Sequence, residues 1–320
     1  MAEFRTYTAI GQREDLSNTI FNIAPTETPV VSSIGKTKAT ATYHEWQTDD
    51  LAAASAAGLI EGADASGASD TPTTRVGNRT QIQGKTVHIS GTLDAVDKAG
   101  RKTETAYQLA KAGQELKRDM EKTILGNVAA SNGTAGSAAR LLGSIQSWLG
   151  TNFVTMTDGV APVGANGTAA RTEGATASAF TEAKLKDVVK SCFENGGNPT
   201  LLVVPPTQKQ VVSTFTGIAE QRYQAPAAKA TTIIGAADVY LSDFGTLSVV
   251  PDRFMTADTT PDAEQALVLD PTMASVATLR PFESNLLAKT GDSEKHQMLV
   301  EYTLQVSNEK AHGIVADLAV

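Results

Sequence analysis

The residues of this sequence best equipped for chemistry are two Gly-Lys-Thr triplets, four histidines and a single cysteine. Gly35-Lys-Thr37 and Gly84-Lys-Thr86 each look like the end of a phosphate-binding loop, in which backbone N–H groups and the lysine cradle phosphates. That loop needs a further glycine five residues upstream. Val30 and Arg79 stand there instead, so no phosphate loop is expected. His44, His88, His296 and His312 have no metal-ligand spacing with one another or with Cys192. Structural or surface roles are expected for all four. Asp49 with Asp50, and Asp94 with Asp97, have the carboxylates for acid–base or calcium work, but no glycine-centred loop closing on a glutamate follows either pair. Cys192 falls on an apolar helix face and reads as a core residue. The sequons at Asn78, Asn132 and Asn166 matter only in a secreted protein. The sequence therefore offers no catalytic residue, no cofactor-binding residue and no metal ligand, and a protein that is not an enzyme is expected.

Composition narrows the classes further. With 320 residues, 41% hydrophobic and 19% charged, the chain has the make-up of a folded protein with a sizeable core. Its net charge of −8 argues against a tight grip on nucleic-acid phosphates, which needs a lysine and arginine surplus. A lone cysteine excludes an internal disulfide framework. Residues 1–8 are polar and lack the apolar core of a signal peptide. The mild apolar run Leu51–Ile60 is far short of the about 20 residues of a membrane span. A soluble protein made inside the cell is expected.

The longest element with one clear period runs from Thr103 to Gly126. Ala106, Leu109, Gly113, Leu116, Met120 and Ile124 recur at steps of three and four and define one helical face. Lys111 with Glu115, and Lys117 with Glu121, stand one turn apart on the expected wet side. Thr103 suits the N-cap, and Gly126-Asn127 the stop. This helix, roughly 35 Å long, reads as a spine across which other elements lie.

Before it, residues 1–36 form an extended arm with apolar teeth. Leu16, Ile20 and Ile23 share one short face, Pro25 and Pro29 hold the backbone extended, and Val30, Val31 and Ile34 follow. Thr40–Thr48 and Arg79–Thr92 read as strands flanking the Ala/Gly/Ser/Asp-rich stretch 49–78. A polar insertion of that length suggests a two-stranded flap projecting from the body, and an isolated ribbon is marginal in water. After the spine, Thr181–Glu194 is an amphipathic helix with Leu185, Val188, Val189, Cys192 and Phe193 inward. Leu201–Val204 is a buried strand. Pro205-Pro206 opens a helix with Val211, Val212, Phe215 and Ile218 inward. Strands at 238–242, 247–251 and 266–269 complete an α/β subdomain. A terminal hairpin pairs Ser284–Lys289 with His296–Val306, and the alternation Met298, Val300, Tyr302, Leu304, Val306 buries one strand face against the spine.

Taken together, Asp15-Leu-Ser-Asn-Thr-Ile20 through Pro25-Thr-Glu-Thr-Pro29, Glu45-Trp46 through Leu51 and Glu61-Gly62, and Thr80-Gln-Ile82 to Ser90-Gly-Thr92 resemble the major capsid (major head) proteins of tailed double-stranded-DNA bacteriophages. The spine and the segment from Thr290-Gly-Asp292 to Asn308-Glu-Lys-Ala311 extend the resemblance over nearly the whole chain, least so from about 130 to 175. It implies an α+β fold with an N-terminal arm (1–38), an extended hairpin termed the E-loop (39–92), a peripheral domain with the spine helix (93–140 and 276–320) and an axial domain (141–275). It further implies self-assembly, as pentamers and hexamers, into an icosahedral head around packaged DNA that is enclosed without sequence-specific binding. Scaffold, portal and decoration proteins are the implied partners, with no membrane. The implied location is the virion capsid, assembled in the bacterial host cytoplasm. Some relatives cross-link through a lysine near the E-loop tip. No lysine lies between Asp49 and Thr74, so that chemistry is not expected here. No charged, helical scaffolding leader is visible either. An encapsulin-type compartment, or another β-rich self-assembling surface protein, is the alternative.

Overall fold

The computed structural model describes residues 26–62, 64, 72–155, 158–215, 238–255 and 265–319. The arm face at Leu16, Ile20 and Ile23, and Ile218, lie outside these. The first elements are α1 (Pro29–Ser33), β1 (Gly35–Lys38), β2 (Tyr43–Thr48), β3 (Thr74–Arg79), β4 (Gln81–Ser90) and α2 (Gly91–Ala95). The spine, α3, spans Glu104–Leu125. After it come β5 (Phe153–Val154), α4 (Glu182–Glu194), β6 (Leu201–Val204), α5 (Pro206–Val212), β7 (Val239–Ser242), β8 (Gly245–Pro251) and β9 (Ala266–Leu269). The long strands β10 (Ala274–Leu286) and β11 (Ser293–Val306) and the short β12 (Gly313–Val315) follow.

The spine forms where its period demands, and its core-facing half is the C-terminal one. Ala112, Leu116, Met120, Ile124 and Leu125 are buried, Leu109 is half-buried and Ala106 is exposed. Thr103 holds the N-cap position without a side-chain cap bond. Asp94 supplies the acceptor instead, taking the Glu104 N–H at 3.0 Å from α2. Lys111 and Glu115 pair at 3.9 Å as expected. Glu121 does not face Lys117 in water. It is fully buried and accepts the N–H groups of Val30 and Val31 at 2.7 and 2.8 Å, which holds α1 on the spine.

Four strands in the order β1-β10-β11-β4 form the sheet under the spine. Val300, Tyr302, Leu304 and Val306 of β11 share one buried cluster with Met120, Ile124 and Leu125, so the expected match of two apolar stripes is met. β10 begins ten residues before the expected strand. Its register with β11 shifts twice between Thr278 and Glu283, around Pro281, which cannot donate to a ladder.

The flap differs from expectation in its second strand. β2 pairs antiparallel with β3, Tyr43 opposite Arg79 and Thr48 opposite Thr74. Gln81–Ser90 instead joins the body sheet along β11. The break at Thr80 is fixed by Asn78, fully buried, whose amide donates to the Gly143 and Leu304 carbonyls at 2.9 and 2.8 Å and accepts the Gly143 N–H at 2.8 Å. Thr80 in turn donates its hydroxyl to Glu301 at 2.9 Å.

The α/β portion is a six-stranded sheet, β5-β12-β9-β6-β8-β7. Leu201, Val203, Leu267 and Leu269 face the spine core, while Leu202, Val204, Val268 and Val249 face α4. Thr181 caps α4, accepting the Lys184 N–H, and Gly196 (φ +84°) turns the chain out of it. Phe193, expected inward, is 54% exposed. β12, close to the chain's end, lies inside this sheet between β5 and β9.

Candidate assembly surfaces

The residues singled out for chemistry are dispersed, and several of them have structural partners. Gly35-Lys-Thr37 lies in β1 and Gly84-Lys-Thr86 in β4, where extended strands cannot form a phosphate nest. His44 meets Gln305 at 3.1 Å. His312 is fully buried: its Nδ1 accepts the Asp270 N–H at 3.1 Å, and burial pushes its pKa down to about 4. Cys192 is fully buried, and burial pushes its thiol up to about 12, which leaves it unreactive at neutral pH. Asp94 is spent on the spine cap, and Asp50 on Lys310 at 2.6 Å. Among the described residues, no three His, Cys, Asp or Glu side chains converge on a possible metal position, and no helix is long and apolar enough to cross a membrane.

What the chain does present is apolar surface on projecting elements. The flap is held rigidly at its base. The Trp46 and Trp148 rings lie 5.3 Å apart, Arg79 sits over the Tyr43 ring at 4.3 Å, and Arg75 pairs with Glu45 at 3.1 Å. Beyond Asp50, which pairs with Lys310 at 2.6 Å, the described tip is exposed. Leu51, Leu59 and Ile60 are 100%, 99% and 82% exposed. Leaving such side chains in water forgoes on the order of 2 kcal/mol each, and clustered apolar exposure marks a contact surface. Phe282, Leu286 and Leu287 are also exposed along the long hairpin, as are Leu93 and Val96 between β4 and the spine. Another group borders the edge strand β7. There Val239 and Leu241 are exposed, and Phe193 packs on Phe244 with ring centroids 4.8 Å apart.

Two buried charge networks escaped the sequence reading. Arg171 and Asp317, both without exposure, pair at 3.2 Å, and the guanidinium also donates to Gln146 at 2.8 Å. Glu301 gathers Arg140, Arg280 and Thr80 at the flap's root. Each charge is compensated and hydrogen-bonded, as burial requires. These networks fix domain geometry and offer nothing to a substrate.

A long spine on a four-stranded sheet, a projecting ribbon and a six-stranded α/β unit form an architecture that recurs in known proteins. The model of the family described as SU10 major capsid protein matches residues 4–319. The chain belongs to this family. The major capsid protein of Escherichia phage Phieco32 is 38% identical over 123 residues, which is 38% of this chain and 35% of that protein. The match thus spans about a third of that relative's length. Among solved structures, the capsid of cyanophage A-1(L) aligns over 96% of this chain and 97% of its own, with TM-score 0.67 and 11% identity. The capsid of a native GTA particle aligns over 98% and 97%, with TM-score 0.59 and 12% identity. The holo-SrpI encapsulin of Synechococcus elongatus PCC 7942 aligns over 99% and 96%, with TM-score 0.54 and 9% identity. At these identities the likeness establishes the fold, which is the α+β fold of phage major capsid proteins. Membership in a family of structural capsid proteins also accounts for the lack of a convergent catalytic set among the described residues.

Proposed function

We propose that the chain is the repeating subunit of an icosahedral phage head, arranged in pentamers and hexamers around packaged double-stranded DNA. The observation that carries this reading is the flap: its base packs on the body, while Leu51, Leu59 and Ile60 are left exposed by the described residues of their own subunit. A second copy lying under the flap supplies the missing contact, repeated at every interface of a closed shell. The net charge of −8 suits a wall that contains DNA without gripping it. Assembly takes place in the bacterial host cytoplasm, with scaffold, portal and decoration proteins as partners. The functional division follows the strand pairing: an arm (1–38), the flap (39–80), a peripheral unit around the spine and long hairpin, and an axial unit of 141–275 completed by β12. With no lysine between Asp49 and Thr74, the shell is held by non-covalent contacts.

Expression of the full chain together with the other head proteins, followed by sedimentation and electron microscopy, tests this. Closed particles are expected, and a stable monomer under those conditions refutes the reading. The shared encapsulin fold supports a second reading, a shell around protein cargo. Particles from infected cells that carry nucleic-acid absorbance at 260 nm favour the phage head. Particles with protein cargo alone favour the compartment.

A further inference from the structure

Glu121 and Asp252 are both fully buried, and they come from different parts of the fold. Glu121 projects from the C-terminal half of the spine, and Asp252 follows β8 of the axial sheet. Both Glu121 oxygens accept backbone N–H groups from α1, at 2.7 Å from Val30 and 2.8 Å from Val31. Asp252 Oδ1 accepts the Phe254 N–H at 2.6 Å. Among the described residues its Oδ2 is buried without a well-aligned donor, and its carboxyl group lies within hydrogen-bonding reach of Glu121 and close to the Met255 N–H. Two carboxylates in such a place cannot both ionise without strong repulsion. One proton held between them supplies the hydrogen bond that Oδ2 lacks.

Among the described residues, no cation forms an ion pair with either carboxylate. From the spine, Arg118 turns its guanidinium over the Phe254 ring at 5.6 Å, and Lys117 and Lys122 are exposed. From the segment after β8, Arg253 is exposed. α1 contributes only backbone N–H groups and apolar side chains, with Val30 packed in the main core.

We propose that the Glu121–Asp252 pair is a proton-held clasp that fastens the arm, through α1, to the spine and the axial unit at once, and that loss of the shared proton loosens the arm. Burial, the largest influence, and the neighbouring Asp252 push Glu121 up to about 8, against the opposing pull of the two N–H donors. Burial likewise raises Asp252. The sign follows. A carboxyl group whose folded pKa exceeds its unfolded one stabilises below its ordinary range and loses that contribution as pH rises through the folded value. The contribution of the pair therefore falls as pH rises through neutrality and is gone above about pH 8.

Hydrogen–deuterium exchange on the purified full-length protein tests this independently of any shell. Rates in the peptide carrying Val30 and Val31 are followed from pH 6.5 to 9.5 and corrected for the intrinsic pH dependence of exchange. Protection there should fall about tenfold between pH 7 and 9, while the β6 peptide Leu201–Val204 keeps its protection. Asp252→Asn removes the repulsion and should abolish the fall, as should Glu121→Gln, which cannot ionise. The proposal is overturned if protection at Val30–Val31 does not change across the range. It is equally overturned if Asp252→Asn retains the fall, or if the β6 peptide loses protection in parallel, which would mean global unfolding.

Discussion

Trp46 of the flap lies against Trp148 of the body, ring centroids 5.3 Å apart and planes inclined by 30°. These are the only two tryptophans in the chain, so its indole fluorescence reports the joint between flap and body. Trp148 is 2% exposed and anchors the core beneath the spine. Trp148→Ala should cost about 3–5 kcal/mol, read from denaturant unfolding. Trp46→Ala should cost less, because Trp46 is only half-buried, and should shift the emission of the remaining tryptophan. An unchanged spectrum would mean that the two rings do not meet in solution.

The flap tip and the subunit core are predicted to separate cleanly. Replacing residues 52–70 by a short Gly-Ser link, with β2 and β3 retained, removes Leu59 and Ile60 but none of the buried residues among those described. Circular dichroism and the melting curve should match the parent, and particles should be absent by electron microscopy. Normal particles from the shortened protein would refute a bridging role for the flap.

On the spine, Leu116 has no exposure and Met120 only 5%. Leu116→Asp or Met120→Asp places an uncompensated carboxyl group at a buried position of the spine and should destabilise by several kcal/mol. Ala106→Asp, on the same helical stripe but exposed, should be nearly neutral. Equal melting temperatures for Leu116→Asp and the parent would contradict the packing described here.

Asp317 is the sole carboxylate at hydrogen-bonding distance from the fully buried Arg171 guanidinium among the described residues; Glu173 stands further off at 3.7 Å. Asp317→Ala should cost about 3–5 kcal/mol because it strands the buried cation. Replacing both residues with apolar ones should cost less than Asp317→Ala alone. That reversal, measured by urea unfolding, is the mark of an uncompensated charge.

Acid should act through His312. Its folded pKa of about 4 lies below the ordinary histidine value. Its contribution to stability is thus complete above about pH 6.5 and is lost as pH falls through 4. The difference amounts to about 3 kcal/mol. His312→Gln should be less stable than the parent at pH 7, yet should lose less stability between pH 7 and 4. Parallel pH profiles for the two proteins would sink the assignment.

Much of this fold is legible in local pattern. α3 and α4 follow from apolar residues at helical spacing, and the turn at Asp243–Gly245 and the runs Leu201–Val204 and Ala266–Leu269 declare themselves by composition. β3 stays hidden because Thr-Arg-Val-Gly-Asn-Arg has one large apolar residue, Val76. What makes it a strand is its pairing with β2 and the buried Asn78 amide, both non-local. The first half of β10 is masked by Pro281, a strand breaker tolerated where the register shifts. Glu121 looks like a surface partner of Lys117 at i, i+4, and nothing local signals that α1 and Asp252 will cover it. The assembly surfaces show the opposite asymmetry. The flap's low-complexity tip is visible as an unsupported insertion, whereas Phe193 looks buried by its period, yet among the described residues it packs on Phe244 and stays half-exposed.

The position of β12 sets a timetable. Ile314 and Val315, synthesised long after Phe153 and Val154, pair with them on one side and with Leu267 and Ala266 on the other. Until they emerge from the ribosome, β5 has no route into the sheet and the α4 core lacks Val315 and Leu318. Contacts of such sequence separation form slowly and late. A chain that stops short of Gly313–Val315 therefore carries an unfinished axial sheet, with β5 left without its neighbour β12.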